Sequence, residues 1–183
     1  MSETTKKKHN DLSWVFGYGS IMWNPGFPFI EQQQAELIGY HRSFCMYSQH
    51  HRGTREKPGL VLGLDKGGRC HGMAFRVAKS EWTATIDYLN KRELNGNYAY
   101  VPNVLKVNLS SRKVSAYTYV ANPKHQNYAG KLPLDSIVRI IRTAEGIGGS
   151  NHSYLAALVR KLDALGSIEE SLSDLLTRVK ESN

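Results

Sequence analysis

The sequence predicts an α+β fold, a small mixed barrel or strongly bent sheet of about six strands with helices on its outside. Three observations lead there. Strand-like segments come first, one helical segment interrupts them, and helical segments finish the chain. That order does not alternate strand with helix, so a doubly wound nucleotide fold is not expected. The composition over 183 residues is 40% hydrophobic, 22% charged and 10% aromatic, which suits one globular domain and excludes a disordered or fibrous chain.

The elements follow in order. Trp14 to Tyr18 reads as a short buried strand that breaks at Gly19-Ser20, and Asn24-Pro25-Gly26 with Pro28 marks the loop after it. Ala35 to Ser48 reads as one extended strand with mixed faces. Leu60–Leu64 and Cys70–Val77 flank Asp65-Lys66-Gly67-Gly68, which has hairpin chemistry. Tyr98–Leu109 and Val114–Val120 form a second expected hairpin around Ser110–Lys113. Between the hairpins, Ser80 is the expected N-cap of a helix from Glu81 to Leu94. A second helix runs from Leu134 to Ala144. A third begins after Ser150-Asn151, carries Leu155, Leu158, Leu162 and Leu165 on one stripe, and ends at Gly166. Ser167 and Glu170 have capping-box spacing for a last helix with Leu172, Leu175, Leu176 and Val179. Residues 1–12 match no element and are expected to be a flexible appendage to a single domain over residues 13–183.

The chain is basic, with 24 Lys+Arg against 16 Asp+Glu and a net charge of +8. Residues 41–80 hold eight basic and two acidic side chains, whereas residues 131–183 are balanced. A localised basic stretch raises a nucleic-acid reading, but no nucleic-acid motif accompanies it. No apolar stretch follows Lys6–Lys8, so no secretory leader is expected, and no run of about 18 apolar residues suggests a membrane partner. Cys45 and Cys70 make neither a disulfide framework nor a zinc site. A cytoplasmic protein is the simplest expectation.

Two features could carry chemistry. In Gly17-Tyr18-Gly19-Ser20, two glycines at a strand end let the backbone approach a ligand and turn its N–H groups outward. Such a nest suits a carboxylate or an oxyanion; the alternative is an ordinary strand-ending turn. Met22 stands where a dinucleotide fingerprint needs its third Gly, there is no Gly-Lys-Ser/Thr, and Tyr18 stands where a nucleophile elbow needs Gly. The second feature is Glu93. At 100° per residue, Trp82, Ile86 and Leu89 fall in one stripe and Glu93 continues it. A carboxylate on an apolar face is costly unless paired or employed, and partial burial raises its pKa toward that of a general base. The alternatives are a frayed helix end that turns Glu93 to solvent, or a structural pair with an arginine.

Lesser candidates are adjacent His50 and His51, which in a strand would point to opposite faces and not share a metal. Arg52 and Arg55, beside Gly53, could hold an anion or simply be exposed. Tyr154 is either a core-edge residue or a hydroxyl aimed at a site. Gly146, Gly148 and Gly149 read as a flexible connector before it.

Taken together, these segments resemble the ChaC family, the glutathione-specific γ-glutamylcyclotransferases. Val15-Phe16-Gly17-Tyr18-Gly19-Ser20-Ile21-Met22-Trp23 resembles the family's substrate loop. His51-Arg52-Gly53 with Lys57-Pro58-Gly59 resembles its next block, Tyr88-Leu89-Asn90-Lys91-Arg92-Glu93 the segment with its catalytic glutamate, and Gly149-Ser150-Asn151-His152-Ser153-Tyr154-Leu155 the block with its active-site tyrosine. The bacterial branch is the most similar. Ile21 stands where the family usually has Leu, and His50 where some relatives have Asp.

The resemblance implies a γ-glutamylcyclotransferase-like fold and a lyase that converts glutathione to 5-oxoproline and cysteinylglycine. It implies Glu93 as general base and acid, and Tyr18, Gly19, Ser20, Ile21, Arg52 and Tyr154 as substrate-binding residues. No metal or cofactor is expected. The implied partner is glutathione alone, without nucleic acid or membrane, and the chain is expected to be a monomer or weak homodimer. A cyclotransferase acting on γ-glutamyl-amino acids or γ-glutamylamines is the alternative; a basic nucleic-acid module and a silent relative with a binding role fit less well. Glutathione is a net anion at neutral pH, so the basic stretch reads as mild steering of a small substrate.

Overall fold

The computed structural model describes residues 13–94 and 99–181; the expected N-terminal appendage lies outside them. Strand β1 (Trp14–Gly17) is buried along its whole length, which is why Trp-Val-Phe reads as an unbroken apolar run. It is antiparallel to β3 (Gly59–Arg76), with Val15 opposite Phe75, and parallel to β5 (Lys113–Ala121), with Val15 opposite Tyr117. The buried Thr118 hydroxyl donates to Phe16 O at 2.9 Å and fixes that parallel pairing. Strand β2 (Glu31–Ser48) is antiparallel to β4 (Tyr100–Asn108), with Leu37 opposite Val107. The order β1-β3-β2-β4-β5 closes into a barrel with both parallel and antiparallel pairs. Closure removes the open edges a bent sheet would leave.

The barrel has five strands rather than six, because the expected Asp65–Gly68 hairpin does not form. Its flanks are one continuous strand. Gly67 and Gly68 do adopt the left-handed conformations a tight turn uses, at φ 96° and 69°. Yet β2 lies opposite them: His41 Nδ1 is 3.1 Å from Gly67 O, and a Cβ on Gly68 would stand 3.4 Å from His41 Cβ. The pair therefore serves as a bulge that bends a long strand without ending it.

The described residues group into two compact units. The first comprises residues up to His41 with those of Lys66–Val120. Its core includes Val15, Phe16, Leu37, Phe75, Leu89 and Val107, and it carries helix α1 (Trp82–Glu93). The second comprises Arg42–Asp65 with residues from Ala121 on. There α2 (Leu134–Thr143), α3 (Asn151–Ala164) and α4 (Glu170–Glu181) pack on one another and bury Ile141, Leu155, Leu158, Leu162 and Leu175.

Helix ends follow local chemistry. The Ser150 side chain accepts from Ser153 N–H at 3.1 Å and caps α3. Its far end is a Schellman motif: Gly166, at φ 66°, donates to Asp163 O, and Ser167 N–H to Leu162 O. Ser167 is thereby committed to closing α3, and the expected capping box at Ser167 does not form. Helix α4 instead starts beyond Glu169, whose carbonyl takes the first bonds from Leu172 and Ser173 while its carboxylate lies 3.5 Å from buried Arg42. The segment from Glu145 to Ser150 is not a loose connector. It forms a two-stranded ribbon, β6 (Glu145–Gly146) with β7 (Gly149–Ser150). His50 and His51 sit in a bend, not a strand, with ring centroids 5.2 Å apart.

Candidate functional site

In the first unit, β1 hands over to a 3₁₀ turn, Ser20–Met22. The handover needs Gly17: a Cβ there would stand 2.7 Å from Ile21 Cγ2, and Ile21 and Met22 are buried beneath the turn. The turn's first internal bond is Met22 N–H to Gly19 O at 2.9 Å. The amides of Gly19, Ser20 and Ile21 precede it and are not consumed by the turn itself. Tyr18 is 9% exposed.

Helix α1 buries Thr85 and Leu89, with Trp82, Ile86 and Glu93 partly covered on the same side. Glu93 is its last residue, with a side chain 21% exposed, so the helix does not fray before it. Burial pushes its carboxyl above the usual 4.5, and the neighbouring Arg92 opposes this only in part. One turn earlier, Asn90 Oδ1 accepts from Tyr119 Oη at 2.9 Å and Tyr117 Oη at 3.2 Å. The two tyrosines are i, i+2 on β5 and share a face, with rings edge to face at 5.5 Å. Burial raises both phenols, so they stay neutral donors, and the Glu93 charge adds to the rise at Tyr119.

Arg92 joins the turn to the helix. Nη2 donates to Ser20 Oγ at 2.9 Å; Nη1 donates to Asn24 O at 2.7 Å, Pro25 O at 3.1 Å and Tyr88 Oη at 3.2 Å. Nε lies 3.3 Å from Glu93 Oε1. The fold thus brings Ser20 and Glu93 together through one guanidinium. Gly26 makes room for this: at φ 73°, a Cβ on it would stand 2.0 Å from Tyr88 Oη. Gly26→Ala is expected to cost about 1–3 kcal/mol through the strained backbone alone. Thermal unfolding checks it, and a variant that melts with the wild type contradicts it.

In the second unit, Arg52 and Tyr154 lie against each other, the guanidinium carbon 5.2 Å from the ring centroid. Tyr154 is 7% exposed and stands edge-on to Phe44 at 6.1 Å. Arg52 Nη1 also donates to Gly148 O, to Ser153 Oγ at 3.3 Å and to Ser150 O at 3.4 Å, so it braces the β6–β7 ribbon. Gly53 and Gly59 mark a close backbone crossing, where a Cβ on Gly59 would stand 2.0 Å from Arg52 O. Asn151, wholly buried, holds Leu60 by both backbone groups: Oδ1 accepts from its N–H at 2.6 Å and Nδ2 donates to its carbonyl at 2.7 Å.

Among the described residues, no group of three or more His, Cys, Asp and Glu side chains is placed to hold a metal ion, and no helix is long and apolar enough to cross a membrane. Cys45 is buried and its thiol is pushed up to about 11 by that burial, which makes it a poor nucleophile.

Sequence reasoning missed Arg92, Asn90, Tyr117 and Tyr119. The i, i+2 aromatic pair was a visible signal; its partner on α1 was not.

A family model described as "ChaC-like protein" matches residues 13–182. The glutathione-specific γ-glutamylcyclotransferase of Escherichia coli is 37% identical over 169 residues, covering 92% of this chain and 73% of that protein. That of Schizosaccharomyces pombe is 34% identical over 168 residues, covering 81% and 82%. Among solved structures, a yeast γ-glutamyl cyclotransferase specific to glutathione superposes with a TM-score of 0.85 at 22% identity, covering 92% of this chain and 96% of that one.

Proposed function

The chain belongs to the ChaC-like family, and from that premise we propose that it cleaves glutathione to 5-oxoproline and cysteinylglycine, with Glu93 as the base and acid of the reaction. The chemistry is internal to the substrate. The α-nitrogen of the γ-glutamyl group bonds to the carbonyl carbon of its own side-chain amide, closing a five-membered ring, and the bond from that carbon to the cysteine nitrogen breaks. Atoms balance without water or any second reactant. The α-ammonium must first lose a proton, and the departing amine must gain one. A single carboxylate can take the first and return it as the second.

Placement supports Glu93 for this work. Its carboxylate is largely covered and lies one guanidinium away from the Ser20 turn. A raised pKa lies closer to that of the substrate's α-ammonium and makes the transfer less uphill. The amides of Gly19, Ser20 and Ile21, with Tyr18 beside them, are proposed to hold the glutamyl carboxylate or the developing oxyanion. Held there, amine and carbonyl react as one molecule with the entropic cost already met. Tyr154 is proposed as a hydroxyl contact to substrate and Arg52 as a partner for a substrate carboxylate, both carried by the family's pattern. Two buried cysteines outside any disulfide agree with a reducing compartment, and the proposal places the enzyme in the cytoplasm.

The test is incubation with glutathione alone, with both products assayed, beside γ-glutamyl dipeptides and γ-glutamylamines. Glutathione is expected to turn over fastest; absence of both products overturns the reading. The base must be ionised to act, so kcat/KM is expected to fall as pH drops through the Glu93 pKa, with the acid limb above 4.5. A limb at or below 4.5 contradicts the assignment of Glu93.

A further inference from the structure

We propose that Arg92 is a positioning residue for this reaction, its one guanidinium fixing the base-bearing end of α1 against the Ser20–Pro25 turn. The proposal rests on the cyclotransferase reading of Glu93.

The geometry is unusual for its place in the chain. Arg92 and Glu93 are neighbours on a helix, where successive side chains diverge by about 100°. An arginine in the last helical turn ordinarily extends into water toward the negative end of the helix dipole. Here the side chain is only 20% exposed and its head folds back over the helix end. All three nitrogens are used. Nε faces Glu93 Oε1 at 3.3 Å, Nη2 reaches Ser20 Oγ at 2.9 Å, and Nη1 reaches the carbonyls of Asn24 and Pro25 and the Tyr88 hydroxyl. Only a planar fork of fixed donors can address partners in these directions at once; a lysine offers one point.

Three consequences bear on the reaction. The separation between the Glu93 carboxylate and the Ser20 turn is set by one rigid group rather than by helix and loop independently. Ser20 Oγ accepts from Arg92, so its own proton is directed elsewhere and is available to donate. And a positive charge beside Glu93 opposes the effect of burial and favours the ionised carboxylate.

Two variants separate these effects. Arg92→Lys keeps a charge but loses the fork; Arg92→Met loses both. Arg92→Lys is expected to lower kcat by at least about 10-fold, toward the roughly 10²-fold that a 1 Å misplacement costs, with the acid limb near its wild-type position. Arg92→Met is expected to lower kcat further and move the acid limb to higher pH. Ser20→Ala is expected to cost less in the Arg92→Met background than in the wild type, because the two act through one contact. Thermal melts accompany each variant. If both Arg92 variants keep kcat within about 2-fold of wild type, or if activity falls only with the folded fraction while the limb stays fixed, the proposal is overturned. Failure of the underlying reading looks different: the wild type itself then gives no product from glutathione, or Glu93→Gln turns over normally.

Discussion

Glu93→Gln is expected to leave a folded protein that has lost about 10³-fold or more of its glutathione turnover. A single positioned general acid or base contributes roughly 10²–10⁴-fold, and here one carboxylate is asked to make both proton transfers, so the upper part of that range applies. Glutamine matches glutamate in size and reaches the same Arg92, but it neither takes a proton from the α-ammonium nor carries one to the leaving amine. The loss should fall on kcat, with KM little changed, because the amide can still occupy the space. Stability should move the other way. The folded-state pKa of Glu93 is raised by burial, so between about 4.5 and that raised value the native state binds more protons than the unfolded chain. Stability contributed by this group is therefore present at low pH and lost as pH rises through the folded pKa. Gln carries no such dependence. Compared by denaturant unfolding, the variant should gain on the wild type as pH rises from about 4.5 through the folded pKa. A carboxylate kept at a stability cost is what a site under functional demand shows. A variant that retains turnover, or one that loses stability relative to wild type over that pH interval, contradicts the assignment.

The route to Glu93 was legible because it depended on one helix. The stripe through Trp82, Ile86 and Leu89 needs only the helical period, and the structure places Glu93 on that side, with Thr85 as an additional buried member. The α3 stripe of Leu155, Leu158 and Leu162 and the glycine stop at Gly166 were legible for the same reason. What failed depended on competing partners, most of them distant in sequence. Gly67-Gly68 carries the local signature of a turn, and only the presence of β2 across from it decides that the strand continues. Ser167 and Glu170 have the right spacing for a cap, but the Ser167 N–H was already needed to close α3. Asn90 meets Tyr117 and Tyr119 across 27 and 29 residues, and Arg92 meets Ser20 across 72. No periodicity reports such pairs. The residue beside the base thus looked like an ordinary basic helix end, although its guanidinium reaches Ser20, Asn24, Pro25, Tyr88 and Glu93.

Asn151→Ala is expected to cost about 2–5 kcal/mol, a large loss of stability for the removal of one side-chain amide. Asn151 is fully buried and behaves as a one-residue strand partner, satisfying both the N–H and the carbonyl of Leu60, itself wholly buried. Truncation leaves two backbone groups in the core without partners. Each costs roughly 1–3 kcal/mol. For a chain of this length that is a fall of about 5–15 °C in melting temperature. Asn151→Asp distinguishes hydrogen bonding from packing. It keeps shape and the acceptor for Leu60 N–H, but turns a second acceptor toward Leu60 O. The aspartate can restore the missing donor only by holding a proton, so its folded pKa must lie above the ordinary 3.9. A raised carboxyl gives stability that is present below the unfolded pKa and lost as pH rises through the folded one. Asn151→Asp should therefore approach wild-type stability in acid and fall toward or below the alanine variant at neutral pH. If the two variants unfold alike at every pH, the amide's role is packing alone and the double hydrogen bond to Leu60 is not what holds the first turn of α3, and with it Tyr154, in place.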